Sequence, residues 1–329
     1  MAIPEILRRY REAIVAQLED ALRDGGPLGE MLAYHMGLRE ANGEEGPGIG
    51  GKLLRPSLVC FSCEALGGDY RKALPFACAL ELVHNFSLIH DDVQDRDELR
   101  RGRPTVWVVF GTEQAINAGD GLYTLALRVA LAARDVLPAK SVLEGIEALI
   151  DATYRMIEGQ VLDISLEGNN ATVAEYLEMA RKKTGALLAC ALELGAIAAG
   201  NPGFRDSLRE LGEILGLAFQ IRDDWIGIWG DPERTGKPAG SDLLRRKRSF
   251  PVVLALERDP GLGGLLVRDP LPLEEALARL EATGAREAAA EEVRKYAAEA
   301  DRLAAELPWE PWAKVAFEEF LSFLAEREA

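Results

Sequence analysis

Cysteine and cationic charge are in short supply in this sequence. Its 329 residues hold four cysteines, at 60, 63, 78 and 190, too few for a disulfide scaffold. Cys60 and Cys63 form a C-x-x-C inside the apolar run Leu58-Val59-Cys60-Phe61, and no second pair follows. Core packing is therefore the expectation there, ahead of zinc or redox chemistry. Lys and Arg number 38 against 54 Asp and Glu, a formal net charge of −16. A surface of that sign repels phosphate backbones and anionic bilayers, which excludes nucleic acid as the main partner. A small anionic ligand in a local basic pocket stays open. The longest weakly polar stretch, Thr184 to Gly200, is interrupted by Glu193 and falls short of the ~18 residues of a transmembrane span. The N-terminus lacks the apolar stretch of a signal peptide. The expectation is a cytoplasmic, reduced protein with no transmembrane segment.

What the chain does have is helical periodicity almost throughout. With 48% apolar and 28% charged residues it is composed like an ordinary folded protein. Ile6, Leu7, Tyr10, Ile14, Leu18 and Leu22 recur at helical spacing up to Gly25-Gly26-Pro27. After a glycine-rich break at 43–51, helical patterns cover 55–66, 73–94, 112–133, 139–167, 172–199, 204–229 and 249–257, separated by Gly, Pro and Asn breaks. Thr172 with Glu175 three residues later reads as a capping box. The Ala-, Glu- and Arg-rich stretch 273–306 reads as one or two amphipathic helices, and 307–329 as a closing helix. No sustained strand alternation, fixed-period repeat or linker divides the chain. The expected fold is all-α: a single domain over 1–329, of roughly ten helices, larger than a four-helix bundle.

Two acidic pairs stand inside otherwise apolar helices. Asp91-Asp92-Val93-Gln94-Asp95 follows Leu88-Ile89-His90, and at 100° per residue Asp91 and Asp95 share one face, with Asp92 beside them. Asp223-Asp224 follows Phe219-Gln220-Ile221-Arg222 on another helix. Either pair alone would ordinarily be a solvated face or an N-cap. Two pairs, each with basic residues nearby, point to chemistry instead, because carboxylates on apolar helices are costly unless a cation meets them. Carboxylates at helical spacing suit Mg²⁺, an oxygen-seeking ion that shares its coordination with substrate phosphates. The basic company is Gly51-Lys52-Leu53-Leu54-Arg55, His84 two turns before Asp91, Arg100-Arg101-Gly102-Arg103, Lys182-Lys183-Thr184 at a helix start, Lys237, and Arg245 to Arg248. Arg forks and Lys point charges bind diphosphates. Arg245, Arg246 and Arg248 taken singly read as a solvated turn.

The ordered set Gly50–Pro56, Glu81–Asp95, Arg100–Thr105, Lys183–Gly185, Phe219–Asp224, Thr235–Lys237 and Asp242–Lys247 resembles the trans-isoprenyl (polyprenyl) diphosphate synthases over roughly two hundred residues. The resemblance implies an isoprenoid-synthase fold around a central cavity, usually a homodimer. It further implies that Asp91, Asp92 and Asp95, with Asp223 and Asp224, form two walls of a cluster of several Mg²⁺ ions holding an allylic diphosphate. Arg100, Lys183, Lys237 and Lys247 resemble the residues that neutralise that diphosphate, with Thr184 and Gln220 nearby. Lys52, Arg55, His84 and Arg101 match the isopentenyl diphosphate site. The implied reaction is head-to-tail condensation by ionisation of the allylic diphosphate.

Two positions depart from the family pattern. The second motif has Gly227 where relatives carry a third Asp, and Leu53 stands where many carry Arg. Asp231 could regain the motif's face only if the helix continued past Gly230. Product length in such enzymes is limited by bulk four or five residues before the first Asp, here Ser87 and Phe86. With no insertion between Asp92 and Asp95, the pattern resembles enzymes stopping at geranylgeranyl diphosphate (C20), with farnesyl diphosphate (C15) next. A terpene cyclase or a non-catalytic partner subunit on the same fold are the competing readings. The isopentenyl-type basic set argues against the first, and the surviving acids against the second.

Overall fold

The computed structural model describes residues 3–23, 25–166, 171–232 and 239–327. Its helices of eight residues or more are α1 (Arg11–Ala21), α2 (Gly26–His35), α3 (Leu54–Ala65), α4 (Leu74–Asp95), α5 (Thr112–Leu131), α6 (Ala139–Leu166), α7 (Val173–Ala180), α8 (Ala186–Ala198), α9 (Arg205–Trp229), α10 (Phe250–Arg258), α11 (Leu273–Ala282), α12 (Ala285–Ala305) and α13 (Pro311–Glu326). The expected all-α class is what the chain adopts. The stretch 273–306 resolves into two helices, broken at Gly284.

Helix α8 runs through the centre, every residue of Ala186–Ala198 buried. It packs on α3, α6 and α9, while α4 lies along α5. Its acid, Glu193, survives burial because Arg205 reaches it at 2.8 Å, which satisfies a charge that could not stand alone there. By length and hydropathy the stretch able to cross a membrane is Tyr70–Asp95 rather than 184–200, yet 72% of it is buried inside the fold. Its apolar length serves the core. A second, smaller core joins the end of α9 to α10 and α11 through Ile228, Leu243, Val252 and Leu280.

Three local details differ from simple periodicity. The first predicted helix breaks at Tyr10, whose ring packs 5.0 Å from Tyr70 and whose hydroxyl donates to Glu64 at 2.7 Å. Burying that aromatic costs the helix its continuity. Residues 172–199 do form one helical path, capped by the expected Thr172–Glu175 box, but Arg181–Gly185 is wound as a π turn. Lys182-Lys183-Thr184 therefore lies within a helix instead of opening one. A π turn re-aims its side chains, and such turns recur at functional sites. Opposite it Gly159 leaves room for the Lys183 backbone, 2.2 Å from where a Cβ would stand. Third, Leu99–Arg100 pairs with Arg103–Pro104 through a turn with Arg101 at φ 53 and Gly102 at φ 77. Arms of two residues carry no readable alternation. The four cysteines are buried and unbridged, as expected for core fillers.

Candidate active site

The last turn of α4 is the first acidic wall. Asp91 and Asp95 lie one turn apart, while Asp92 points inward at 2% exposure. The hairpin swings Arg100 onto it: Nε lies 2.9 Å from both Asp92 oxygens and Nη2 2.6 Å from one. Asp92 is thus held by a bidentate guanidinium fork. Asp91 opens into a cavity of about 520 Å³ shared with Lys183, Thr184, Arg55 and His84. Burial raises its pKa and the Lys183 charge draws it back. Lys183 donates to Asp163 at 2.5 Å. Burial would lower the pKa of this ammonium, but Asp163, Asp91 and Asp95 outweigh it and hold the group above the ordinary lysine value. On the outer side Arg245 hydrogen-bonds Asp97 and stands 3.8 Å from Asp95.

The second wall is on α9. Asp224 is 7% exposed and accepts from the Tyr176 hydroxyl at 2.5 Å, Phe250 N at 2.8 Å and Gln220 Nε2 at 3.1 Å. Gln220 in turn accepts from Thr184 Oγ1 at 2.5 Å. This chain of bonds fixes the π turn to α9. Burial, then the nearby Asp242 charge, raise the Asp224 carboxyl to about 7, against the three donors. Asp223, one residue earlier, faces out and meets Arg327 Nη2 at 2.5 Å. Arg327 lies over the Phe219 ring at 4.0 Å and its carbonyl accepts from Arg222 Nε at 2.8 Å.

A basic group sits between the walls. Arg55 Nη1 lies 3.2 Å from His84 Nε2. A guanidinium cannot accept, so that nitrogen must, and the imidazole proton is on Nδ1. Burial, then Arg55 and Arg101, keep His84 well below its usual pKa. Burial also lowers Arg55, against the charges of Glu81 and Asp223, and lowers Arg101, again against Glu81. Buried Glu81 is thus the counter-ion behind both arginines. Asn85 Nδ2 donates to it at 3.0 Å, and His35 Nε2 lies 3.2 Å from Asn85 Oδ1. Lys52 is set slightly apart, its Nζ 5.6 Å over the Phe323 ring and within the fields of Arg327 and Asp223.

Desolvation, then Arg100 and Arg101, push His35 down to about 3. An unfolded histidine takes up its proton below about pH 6.5, whereas the folded one does not. The unfolded state then binds more protons, so this group's contribution is present above pH 6.5 and is lost as pH falls from there toward 3. His35→Gln should flatten the acid side of the stability profile by about 1.4 kcal/mol per pH unit. Urea unfolding at pH 7, 6 and 5 measures it, and an unchanged slope would contradict the assignment.

The cavity's far end is apolar and aromatic. Phe86 is 7% exposed, its ring 5.3 Å from that of His90 and 5.5 Å from Tyr123. His90 donates Nε2–H to Ile116 O at 3.3 Å. Ser87 also lines the cavity, but its hydroxyl is turned back onto His84 O at 2.8 Å. Leu187, Met156, Ile157 and Ile150 complete the wall.

Residues 42–266 match the family model of the polyprenyl synthetases. The chain belongs to the polyprenyl synthetase family. It is 46% identical over 232 residues to a geranylgeranyl diphosphate synthase of Mycobacterium tuberculosis, a match covering 70% of this chain and 65% of that protein. It therefore spans just under two thirds of that relative's length. Its structure resembles the polyprenyl synthetase of Streptomyces coelicolor A3(2), with a TM-score of 0.91 at 39% identity over 98% of this chain and 99% of that one. It also resembles the polyprenyl synthase of Caulobacter crescentus CB15 complexed with calcium and isoprenyl diphosphate, with a TM-score of 0.84 at 29% identity over the whole of both chains.

On this polyprenyl synthetase scaffold, Asp91, Lys183, Thr184, Arg55 and His84 line one cavity. Gln220 joins that group through Thr184. Arg100 and Arg101 line a neighbouring hollow of about 570 Å³ with Arg11, His35 and Arg103. Lys247 is half-buried, its backbone N–H closing a turn onto Asp242 O at 2.9 Å. Lys237 lies outside the described residues. α9 ends at Trp229, so Asp231 stands past the helix. Leu53 is buried in a left-handed conformation, φ 48, at the start of α3. Arg245, expected as a solvated turn, is instead bound to the first wall. Asp163, Tyr176, Glu81, Tyr123 and Arg327 belong to the site and were not read from the sequence. Asp163 could have been, as an acid in the apolar pattern of α6. Arg327 could not, because its partner lies 104 residues away. Among the described residues no three Asp, Glu, His or Cys converge tightly enough to hold an ion unaided.

Proposed function

We propose that this chain is a head-to-tail prenyltransferase that joins isopentenyl diphosphate to an allylic diphosphate, with geranylgeranyl diphosphate as product. The observation that carries the reading is that an apolar cavity opens at one end onto Asp91 and Lys183 and, within the same lining, onto the Arg55–His84 pair. A prenyl tail needs the apolar part and two diphosphates need separate cationic ends. The donor set of the walls is all carboxylate oxygen, which fits Mg²⁺. That no described cluster closes on an ion unaided also fits, since Mg²⁺ keeps waters and shares substrate phosphate oxygens. Asp91, Asp95 and Asp223 would hold the ions. Asp92 and Asp224, saturated by protein donors, would orient Arg100 and Gln220.

Bound there, Mg²⁺ would compensate the charge of the diphosphate and so make it a competent leaving group. Lys183, kept protonated by three carboxylates, would donate to the same diphosphate. The Arg55, His84 and Arg101 group would seat isopentenyl diphosphate, with Glu81 and Asn85 fixing its orientation. Ionisation of the allylic C–O bond leaves a carbocation, the isopentenyl double bond attacks it, and the proton lost passes to the released diphosphate. The apolar lining excludes water that would trap the cation. The test is incubation with Mg²⁺, isopentenyl diphosphate and C5, C10 or C15 allylic diphosphates, with product sizing. A C20 product supports the full reading and a C15 product corrects only its length. No diphosphate release from any primer would overturn it.

We also propose a homodimer. Helix α6 exposes Leu143, Ile150, Tyr154, Ile157, Val161 and Ile164, an apolar stripe at spacings of three, four and seven along one face. A stripe this continuous marks an interface. The double variant Leu143→Glu, Val161→Glu should sediment as a monomer with its helix content retained. A dimer of unchanged affinity would contradict the assignment.

A further inference from the structure

The second acidic motif is one carboxylate short, because Gly227 follows Asp223-Asp224. Position 227 lies one turn beyond Asp223 and on its face, so a side chain there would stand in the wall. The space is taken. A Cβ on Gly227 would lie 2.2 Å from Asp242 Oδ2, 2.5 Å from its Cγ and 2.9 Å from Oδ1. No real Cβ tolerates such contacts. The Asp242 carboxylate thus fills the volume where a carboxylate on residue 227 would begin.

Its delivery is built in. Gly240 N–H donates to Ile228 O at 2.9 Å, and Ser241 Oγ to Gly227 O at 3.1 Å. Leu243 is buried against Ile228 in the smaller core. These contacts pin the turn Ser241–Leu244 to the end of α9, with Asp242 over the glycine. The charge of Asp242 acts on Asp224 behind the wall. It also acts on Arg245, which answers to Asp97 and Asp95 of the first wall as well. Asp242 therefore stands between the two acidic motifs.

We propose that Asp242 is the third acid of the second wall and helps hold a divalent cation with the diphosphate in place of a side chain at 227. The inference rests on the prenyltransferase reading above. It also accounts for the glycine: an aspartate at 227 and the present Asp242 exclude each other.

The full chain is titrated with Mn²⁺ in the presence of inorganic diphosphate, and bound ion is followed by electron paramagnetic resonance. Asp242→Asn keeps the shape and loses the charge, so it should weaken Mn²⁺ binding at least about tenfold with an unchanged circular dichroism melt. The double variant Gly227→Asp, Asp242→Ala puts the carboxylate back from α9 and should restore the parental affinity. Unchanged binding in Asp242→Asn overturns the proposal. So does a loss that the double variant, folded by circular dichroism, fails to recover. If the parent chain itself takes up no Mn²⁺ with diphosphate, the functional reading fails and the inference with it.

Discussion

Asp91→Ala should lower diphosphate release by about a thousandfold while leaving the helices in place. The size follows from what the carboxylate does in a partly desolvated cavity, where removing one preorganised charge partner costs ~10²–10³ in rate, compounded here by loss of an ion that neutralises the leaving group. The fold should survive because Asp91 is not a structural acid. Burial already penalises its charge, and its cation, Lys183, keeps Asp163 at 2.5 Å. Losing the side chain removes that penalty without orphaning the lysine, so the melting temperature should hold or rise. Arg100→Met would behave oppositely, because Asp92 at 2% exposure would lose its fork and be stranded. Steady-state rates and thermal melts on Asp91→Ala decide the matter. Turnover within tenfold of the parent, or a collapsed helix signal, would sink the assignment.

The second large effect is on product length. Phe86 stands five residues before Asp91, its ring wedged between His90 and Tyr123 at the closed end of the cavity. Phe86→Ala opens that floor, and the major product should gain at least one isoprene unit. The variant should also lose stability, by about 3 kcal/mol, at the low end of the range for truncating a buried phenylalanine, because the ring already faces a hollow on one side. Gain of length with loss of stability is a combination that a general packing defect would not produce. Tyr123→Ala, on the opposite helix, should add to the lengthening. An unchanged product from Phe86→Ala would place the floor elsewhere. Ser87→Ala should do nothing to length, since that hydroxyl is tied to His84 O at 2.8 Å and adds no bulk.

Both predictions depend on residues that the linear chain alone makes legible, and the reasons are local. Helix boundaries at α4, α5, α6, α9 and α10 follow from apolar spacing and from Gly and Pro punctuation, which act within one or two turns. The acidic pairs announce themselves because charge inside an apolar helix needs a partner. The π turn at Arg181–Gly185 and the two-residue hairpin leave no mark, since neither is long enough to impose a period. Yet the hairpin aims Arg100 and the π turn aims Lys183.

The division falls along range. Composition, periodicity and motif order determine that the chain is helical, acidic, and equipped with carboxylates and cations suited to a diphosphate and a metal. Tertiary packing alone decides which of those carboxylates are spent on the protein. Asp92 and Asp224 look like Asp91 and Asp223 in the string. In space the first two are sealed by Arg100, Tyr176 and Phe250, while Asp91 opens into the cavity and the Asp223 side chain stays 44% exposed. The same holds for Asp242, whose role at Gly227 arises only because the turn folds back onto α9. Local sequence sets where a side chain sits on its own helix. What meets it from across the bundle is set by the burial of residues that carry no chemistry of their own.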